Sequence, residues 1–180
     1  MKLKSDRYTS GEKALSKREY DKLISVIDNI EDELLIKMAI TTGLRREDLC
    51  SILIKNINLN EGVLTFHESK KSIDRSIYLN KDIVMLIRKF LHTQADRKRL
   101  FSFVGRTAYR HLNHWCVIAG IPERPFHALR ATCVKFCQIA GWKPEEVSKL
   151  TGDTIRVIQE HYATPSDGDM KEVITNKGII

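Results

Sequence analysis

The change in residue patterning in the middle of the chain is the feature that most limits what it can fold into. Residues 54–79 contain three short runs rich in β-branched and aromatic residues, at 57–59, 63–66 and 76–79. Turn-forming residues separate these runs at 60–62 and at 71–74. Short runs of this composition joined by brief turns predict a small antiparallel meander of three strands.

Apolar residues on both sides of this stretch recur every three or four positions, which is the spacing of one helix face. Ser16 and Glu19 form a capping box at the start of the first segment, and Gly43 ends the second. The spacing predicts helices over 16–29, 31–42, 46–53, 80–91, 106–119, 128–140, 144–150 and 154–162. The expected fold class is therefore α+β, mainly α-helical, with a small three-stranded antiparallel sheet.

The net charge and the cysteine usage narrow the classes of protein to which the chain can belong. A net charge of +7 on 180 residues favours a nucleic-acid partner, although solubility alone also accounts for it. No apolar run approaches the length of a membrane-spanning helix. The four cysteines include no C-x-x-C pair, so we interpret them as buried thiols in a reducing cytoplasm rather than as zinc ligands.

Residues suited to phosphoryl chemistry occur in order along the chain. Arg45 and Asp48 share one segment, His127 and Arg130 stand three residues apart at a predicted helix start, and Tyr162 comes near the C-terminus. A phenol is a poor nucleophile at neutral pH, because its pKa is about 10, so it requires a base. Arginine is always charged and its guanidinium forks onto phosphate oxygens, so two arginines can hold the phosphate under attack.

This ordered set resembles the active site of the tyrosine recombinases, the phage integrase family. The motifs that carry the resemblance are Thr42-Gly43-Leu44-Arg45, Ser69-Lys70-Lys71, His127-Ala128-Leu129-Arg130, Leu150-Thr151-Gly152-Asp153 and Tyr162. It covers nearly the whole chain from about residue 14. The resemblance implies the fold of the family's catalytic domain.

The resemblance also assigns a role to each of these residues. Tyr162 is expected to be the nucleophile, and Arg45 and Arg130 are expected to bind the scissile phosphate. His127 would accept the tyrosine proton, and Asp48 would brace the active-site scaffold. No cofactor and no metal is implied.

Two further positions need a choice between alternatives. The family carries a lysine in the second inter-strand turn, where an ammonium can protonate the departing 5′-oxygen. The spacing to Arg75 favours Lys70 over Lys71 for this role. Asp153 stands where the family has His or Trp, and we interpret it as the N-cap of the helix over 154–162, in a supporting place beside the site.

The implied organisation is a flexible N-terminal segment at 1–14, a catalytic domain at 15–166 and a C-terminal tail at 167–180. Met170, Val173 and Ile174 give the tail an apolar face, which is either exchanged with a neighbouring subunit or docked on its own domain. The family usually carries a helical core-binding domain before the catalytic one. The chain begins at the catalytic part, either as a fragment or as a minimal enzyme.

The implied activity is site-specific DNA recombination, including integration of viral genomes, through a 3′-phosphotyrosyl intermediate. The expected partner is double-stranded DNA, with a homotetramer on synapsed DNA and a monomer when free, in the cytoplasm and without a membrane. Two other functions stay open: a DNA-binding protein with a relic active site, acting as a blocker or architectural factor, and a DNA-relaxing enzyme similar to type IB topoisomerases.

Overall fold

The chain begins with helices whose ends are set by side-chain caps. The computed structural model describes residues 13–68, 70–94, 97–161 and 175. Helix α1 (Lys17–Val26) starts at the predicted capping box, in which Ser16 accepts from the Glu19 amide and the Glu19 carboxylate accepts from the Ser16 amide. It ends three residues before the predicted 29, because the side chain of Asn29 caps the next helix by accepting from the amide of Asp32 at 2.8 Å.

Two more helices lead into the sheet. Helix α2 (Ile30–Thr42) ends at Gly43, which has φ of 63°, as the sequence predicts. Helix α3 (Arg46–Cys50) is shorter than the predicted 46–53, because Leu53 forms an isolated β-bridge with Arg99. A 3-10 helix (Ile54–Asn56) then joins α3 to the first strand.

The predicted meander is confirmed as an antiparallel sheet in the order β1-β2-β3. Its strands are β1 (Ile57–Asn58), β2 (Val63–Glu68) and β3 (Ile73–Tyr78). Residues 73 and 74 were predicted in the turn, but Ile73 pairs with Glu68 and Asp74 pairs with His67, so β3 begins at Ile73. Burial alternates along β2, so that Glu68 shares the inward face with Leu64 and Phe66.

Five helices follow the sheet within the described residues, and their predicted positions are confirmed to within about two residues. They are α4 (Lys81–His92), α5 (Gly105–Ile118), α6 (His127–Ile139), α7 (Pro144–Thr151) and α8 (Ile155–His161). Asn80 caps α4 by accepting from the amide of Ile83 at 2.9 Å, and Pro144 opens α7. Gly152 ends α7 with φ of 76°.

The main hydrophobic core surrounds α2. Leu34, Leu35 and Ile36 are consecutive and all fully buried, so most of the helix surface is covered, and it packs against α4, α5 and α6. A smaller cluster holds α6, α7 and α8 together and includes Ala14. Residues 1–12 of the predicted flexible segment, and the tail except Thr175, lie outside the described residues. None of the helices that the structure describes is long and apolar enough to cross a membrane.

Candidate active site

Arg45 is held at the start of α3, directly after the turn at Gly43. A side chain at position 43 would place its Cβ 2.9 Å from Thr151 Cγ2. Glycine is therefore required at this position for two reasons, its positive φ and the close approach of α7. The Arg45 guanidinium donates from Nη1 to Glu68 Oε1 at 2.7 Å and from Nη2 to Asp153 Oδ1 at 3.3 Å. Arg45 is therefore bonded to groups from two distant parts of the chain.

Arg130 lies in the first turn of α6 and is only 3% exposed. Its Nη1 donates to the carbonyl of Gly43, and its Nη2 donates to the carbonyl of Thr151 at 2.8 Å. Its Nε donates to Asp153 Oδ2 at 3.0 Å. These bonds fix the buried guanidinium between the end of α2 and the end of α7.

The interpretation of Asp153 as a helix N-cap is wrong. The hydroxyl of Thr154 is the side chain that caps α8, accepting from the amide of Val157 at 3.3 Å. The Asp153 carboxylate instead bridges the guanidiniums of Arg45 and Arg130 and is 11% exposed. Each guanidinium carries a full positive charge, whereas the amides at a helix N-terminus carry only partial charges, so the carboxylate is attracted more strongly to the two arginines.

Glu68 is a member of the site that the sequence interpretation missed. Its side chain is 0% exposed, and it accepts from Arg45 Nη1 and, at 3.0 Å, from Arg75 Nη1. Burial raises the pKa of this carboxyl, but the hydrogen bonds from Arg45 and Arg75 outweigh that effect, so its pKa lies below the usual value. The sequence does contain a signal for this role, because Glu68 falls on the same strand face as the apolar Leu64 and Phe66. That position predicts a buried carboxylate, and a buried carboxylate requires cationic partners.

Arg75 connects the sheet to α7. Its Nη2 donates to the carbonyls of Lys149 at 2.8 Å and Leu150 at 3.2 Å, which are unpaired backbone acceptors at the end of that helix. A Cβ at Gly152 would overlap Arg75 Nη1 and lie 3.1 Å from Glu68 Oε2. The β2–β3 hairpin and the turn that carries Asp153 are thereby held together.

Both candidate lysines lie in the β2–β3 turn. The ammonium of Lys71 donates to the carbonyl of Gly152 and lies 3.8 Å from Glu68 Oε1. The side chain of Lys70 is exposed. The structure thus brings Lys71 to the arginine cluster, while the role of Lys70 as the general acid stays a prediction.

His127 is the first residue of α6 and lines a cleft of about 470 Å³ together with Arg45, Arg130 and Tyr109. Partial burial lowers the pKa of its imidazole, and the charges of Arg130 and Arg45 lower it further, against the opposing effect of Asp153. The imidazole is therefore mainly neutral at pH 7, which is the form that can accept a proton.

Two predicted site residues remain. Asp48 is 2% exposed within α3, the helix that directly follows Arg45. Tyr162 and the apolar tail residues 170–174 lie outside the described residues, and α8 is described as far as His161, the residue before Tyr162. The structure accordingly brings together Arg45, Arg130, His127 and the supporting Asp153 from the predicted set. It places Lys71, the alternative lysine, beside them and adds Glu68 and Arg75 to the same cluster.

The sequence is similar to known tyrosine recombinases. The sequence pattern of the phage integrase family matches residues 13–167. Tyrosine recombinase XerA of Pyrococcus horikoshii is 31% identical over 178 residues, covering 93% of this chain and 62% of that protein. XerA of Saccharolobus solfataricus is 29% identical over 140 residues, covering 78% of this chain and 48% of that protein. The chain thus spans about half to two thirds of the length of these relatives.

Solved structures of recombinases are similar in fold. A crystal structure of XerA recombinase has a TM-score of 0.81 at 20% identity, covering 93% of this chain and 65% of that one. Lambda integrase bound to DNA has a TM-score of 0.67 at 19% identity, covering 79% and 57%. This shared fold confirms the expected catalytic-domain architecture, and with the family match over most of the sequence it shows that the chain belongs to the phage integrase family of tyrosine recombinases.

Proposed function

We propose that this chain is the catalytic domain of a site-specific recombinase that cleaves and rejoins double-stranded DNA through Tyr162. The observation that carries the proposal is the convergence of Arg45 and Arg130, from different helices, on the single carboxylate of Asp153. Two fixed guanidiniums that share one anion form a site suited to the scissile phosphate. The cleft beside them is lined by His127, a candidate base.

The chemistry proceeds as an exchange of phosphodiester bonds. The hydroxyl oxygen of Tyr162 attacks the phosphorus, and its proton passes to the neutral imidazole of His127. The bond from phosphorus to the 5′-oxygen breaks, and the ammonium of Lys70 protonates that oxygen. Arg45 and Arg130 stabilise the negative charge that develops on the phosphate oxygens. A second 5′-hydroxyl then reverses the sequence, so that the phosphotyrosyl bond conserves the energy of the cleaved strand.

A basic surface next to the cleft supports double-stranded DNA as the substrate. Arg106 and Arg110 are exposed on α5, and Tyr109 lies between them in sequence and lines the cleft. The Arg46 side chain packs close to Gly105 at the start of the same helix. Cations on one helix face bind backbone phosphates, and binding of this kind weakens steeply with salt.

The proposed organisation assigns residues 15–166 to the catalytic domain and 167–180 to a tail that contacts a neighbouring subunit. Recombination of two duplexes cuts four strands, and each subunit contributes one nucleophile, so the assembly on synapsed DNA is a homotetramer of chains that are monomeric when free. The free state of all four cysteines is compatible with the cytoplasm, where this reaction on viral or host DNA would take place. No cofactor or metal is part of the proposal.

The proposal is tested by trapping the covalent intermediate. The protein is incubated with a library of nicked duplexes of randomised sequence, from which the cleaved segment diffuses away, and adducts are separated by denaturing electrophoresis. We expect an adduct with the wild-type chain and none with Tyr162→Phe, which keeps the aromatic ring and removes the nucleophile. Tyr78→Phe is the matched control, because Tyr78 is an exposed tyrosine on β3. DNA binding by a folded wild-type chain that never forms an adduct would contradict the proposal.

A further inference from the structure

We propose that Glu68 is a positioning residue that aims the guanidinium of Arg45 at the scissile phosphate. The inference rests on the proposed function and deepens it. It assigns Glu68 no contact with DNA and no proton transfer. Its effect on cleavage passes through Arg45.

The first observation is the burial of a carboxylate where the strand otherwise places apolar side chains. Glu68 shares the inward face of β2 with Leu64 and Phe66, and its side chain is 0% exposed. Removing a carboxylate from water costs free energy that an apolar residue at this position would not cost. The buried charge is therefore stabilised by its cationic partners, and its shortest hydrogen bond, at 2.7 Å, is the one that Arg45 Nη1 donates.

The second observation is the geometry of the Arg45 guanidinium. Nη1 donates to Glu68 and Nη2 donates to Asp153. Because the group is planar and rigid, fixing the direction of Nη1 also fixes the direction of Nη2. Asp153 is the weaker of the two contacts, at 3.3 Å, and it is partly exposed. A phosphate can replace Asp153 at Nη2 while Glu68 keeps Nη1 in place.

The third observation is that Glu68 is itself held rigidly. Arg75 donates to its second oxygen at 3.0 Å and is anchored by the carbonyls at the end of α7. Gly152 packs where any side chain would overlap Arg75. The contacts that join the hairpin to α7 thus also hold the Glu68 carboxylate in one position. The carboxylate can therefore fix the orientation of the Arg45 guanidinium.

The test compares single-turnover cleavage and DNA affinity in a double-mutant cycle of Glu68→Gln and Arg45→Ala. Glu68→Gln should slow cleavage at least about tenfold, since a small displacement of a catalytic group costs one to two orders of magnitude. DNA affinity should be unchanged or slightly increased, because a negative charge is lost. The double variant should be no slower than Arg45→Ala alone, because both substitutions remove the same contribution.

Asp74→Asn is the matched control. It removes one negative charge from the same hairpin, but Asp74 is 79% exposed and pairs with His67. It should cleave like the wild type. Glu68→Asp, which keeps the charge and loses the reach, provides a second variant if Glu68→Gln does not fold, and it should show the same non-additivity.

The outcomes separate the two proposals. The positioning role would be overturned if Glu68→Gln cleaved at the wild-type rate, or if the rate reductions of Glu68→Gln and Arg45→Ala multiplied in the double variant. Either result would leave the recombinase proposal intact. A folded wild-type chain that forms no adduct would refute the proposed function and this inference with it.

Discussion

The bridging carboxylate of Asp153 leads to a sharp prediction for the substitution Asp153→Asn. Asparagine has the same shape and is as good a helix N-cap as aspartate. If Asp153 only capped α8, the substitution would leave the free energy of unfolding almost unchanged. In the structure the carboxylate pairs with Arg130 at 2.7 Å and with Arg45 at 3.3 Å, so the substitution removes a charge from an ion-pair cluster.

The size of the effect follows from the burial of the partners. Removing one member of a buried ion pair costs about 3–5 kcal/mol. Arg130 keeps its bonds to the carbonyls of Gly43 and Thr151, and the asparagine carbonyl still accepts one N–H group. We therefore expect a loss of about 2 kcal/mol in the free energy of unfolding, below the full range for an uncompensated charge.

Equilibrium unfolding in urea, followed by far-ultraviolet circular dichroism, measures this loss. Thr154→Ala is the reference for a true N-cap and should cost about 1 kcal/mol. Asp74→Asn is the charge control and should be close to neutral, because Asp74 is exposed on β3. A loss for Asp153→Asn no larger than that for Thr154→Ala would refute the argument that Asp153 holds the arginines.

Three other predictions follow from the site. Because the pKa of His127 lies below the usual value of about 6.5, the rate constant for cleavage should hold at pH 7 and fall only at lower pH, and His127→Gln should remove this inflection in a pH–rate profile. A 5′-phosphorothiolate substrate has a leaving group that needs no proton, so it should restore cleavage to the variant, Lys70→Ala or Lys71→Ala, that has lost the general acid. A variant that is equally slow on this substrate and on the ordinary phosphodiester would show that its lysine is not the general acid. Gly152→Ala should lower the urea midpoint of unfolding, because the added Cβ would overlap Arg75 and because alanine is strained at a positive φ. An unchanged midpoint would show that Arg75 can move away without loss of stability.

His127 also affects stability, and the sign of its effect is fixed by the lowered pKa. The folded state binds fewer protons than the unfolded state between the folded pKa and about 6.5, so His127 makes stability rise with pH in that window. The loss of stability caused by His127 is complete below its pKa in the folded state and absent above its pKa in the unfolded state. Relative to the wild type, His127→Gln should therefore be more stable at acidic pH than at neutral pH.

Local rules predicted most of the helices and the sheet. The capping pair Ser16 and Glu19, the cap Asn80 and the terminator Gly43 act within one helical turn, so their effect can be read from neighbouring residues. Competition between two local signals shortened α1, because Asn29 caps α2 instead of extending the earlier helix. Residues 73 and 74 entered β3 because pairing with β2 outweighed their turn composition.

The active site was only partly predictable, because its contacts are long-range. Arg45 and Arg130 were found through the motif order, and the structure brings them to one carboxylate. Asp153 was misread since a local rule for caps applied equally well to it, and only the distant arginines decide between the two roles. Glu68 and Arg75 belong to no motif in the sequence interpretation, and their contact with the end of α7 depends on the packing of the sheet.

Mapping the attached nucleotide on the protein is the most direct test of the central claim. The adduct formed with a nicked duplex is digested with trypsin and nuclease, and the modified peptide is sequenced by mass spectrometry. The account predicts a nucleotide 3′-phosphate on Tyr162, with adduct formation reduced by on the order of 100-fold in Arg45→Ala and in Arg130→Ala. A nucleotide attached to another residue, such as Tyr109 in the cleft, or full adduct formation without either arginine, would contradict it.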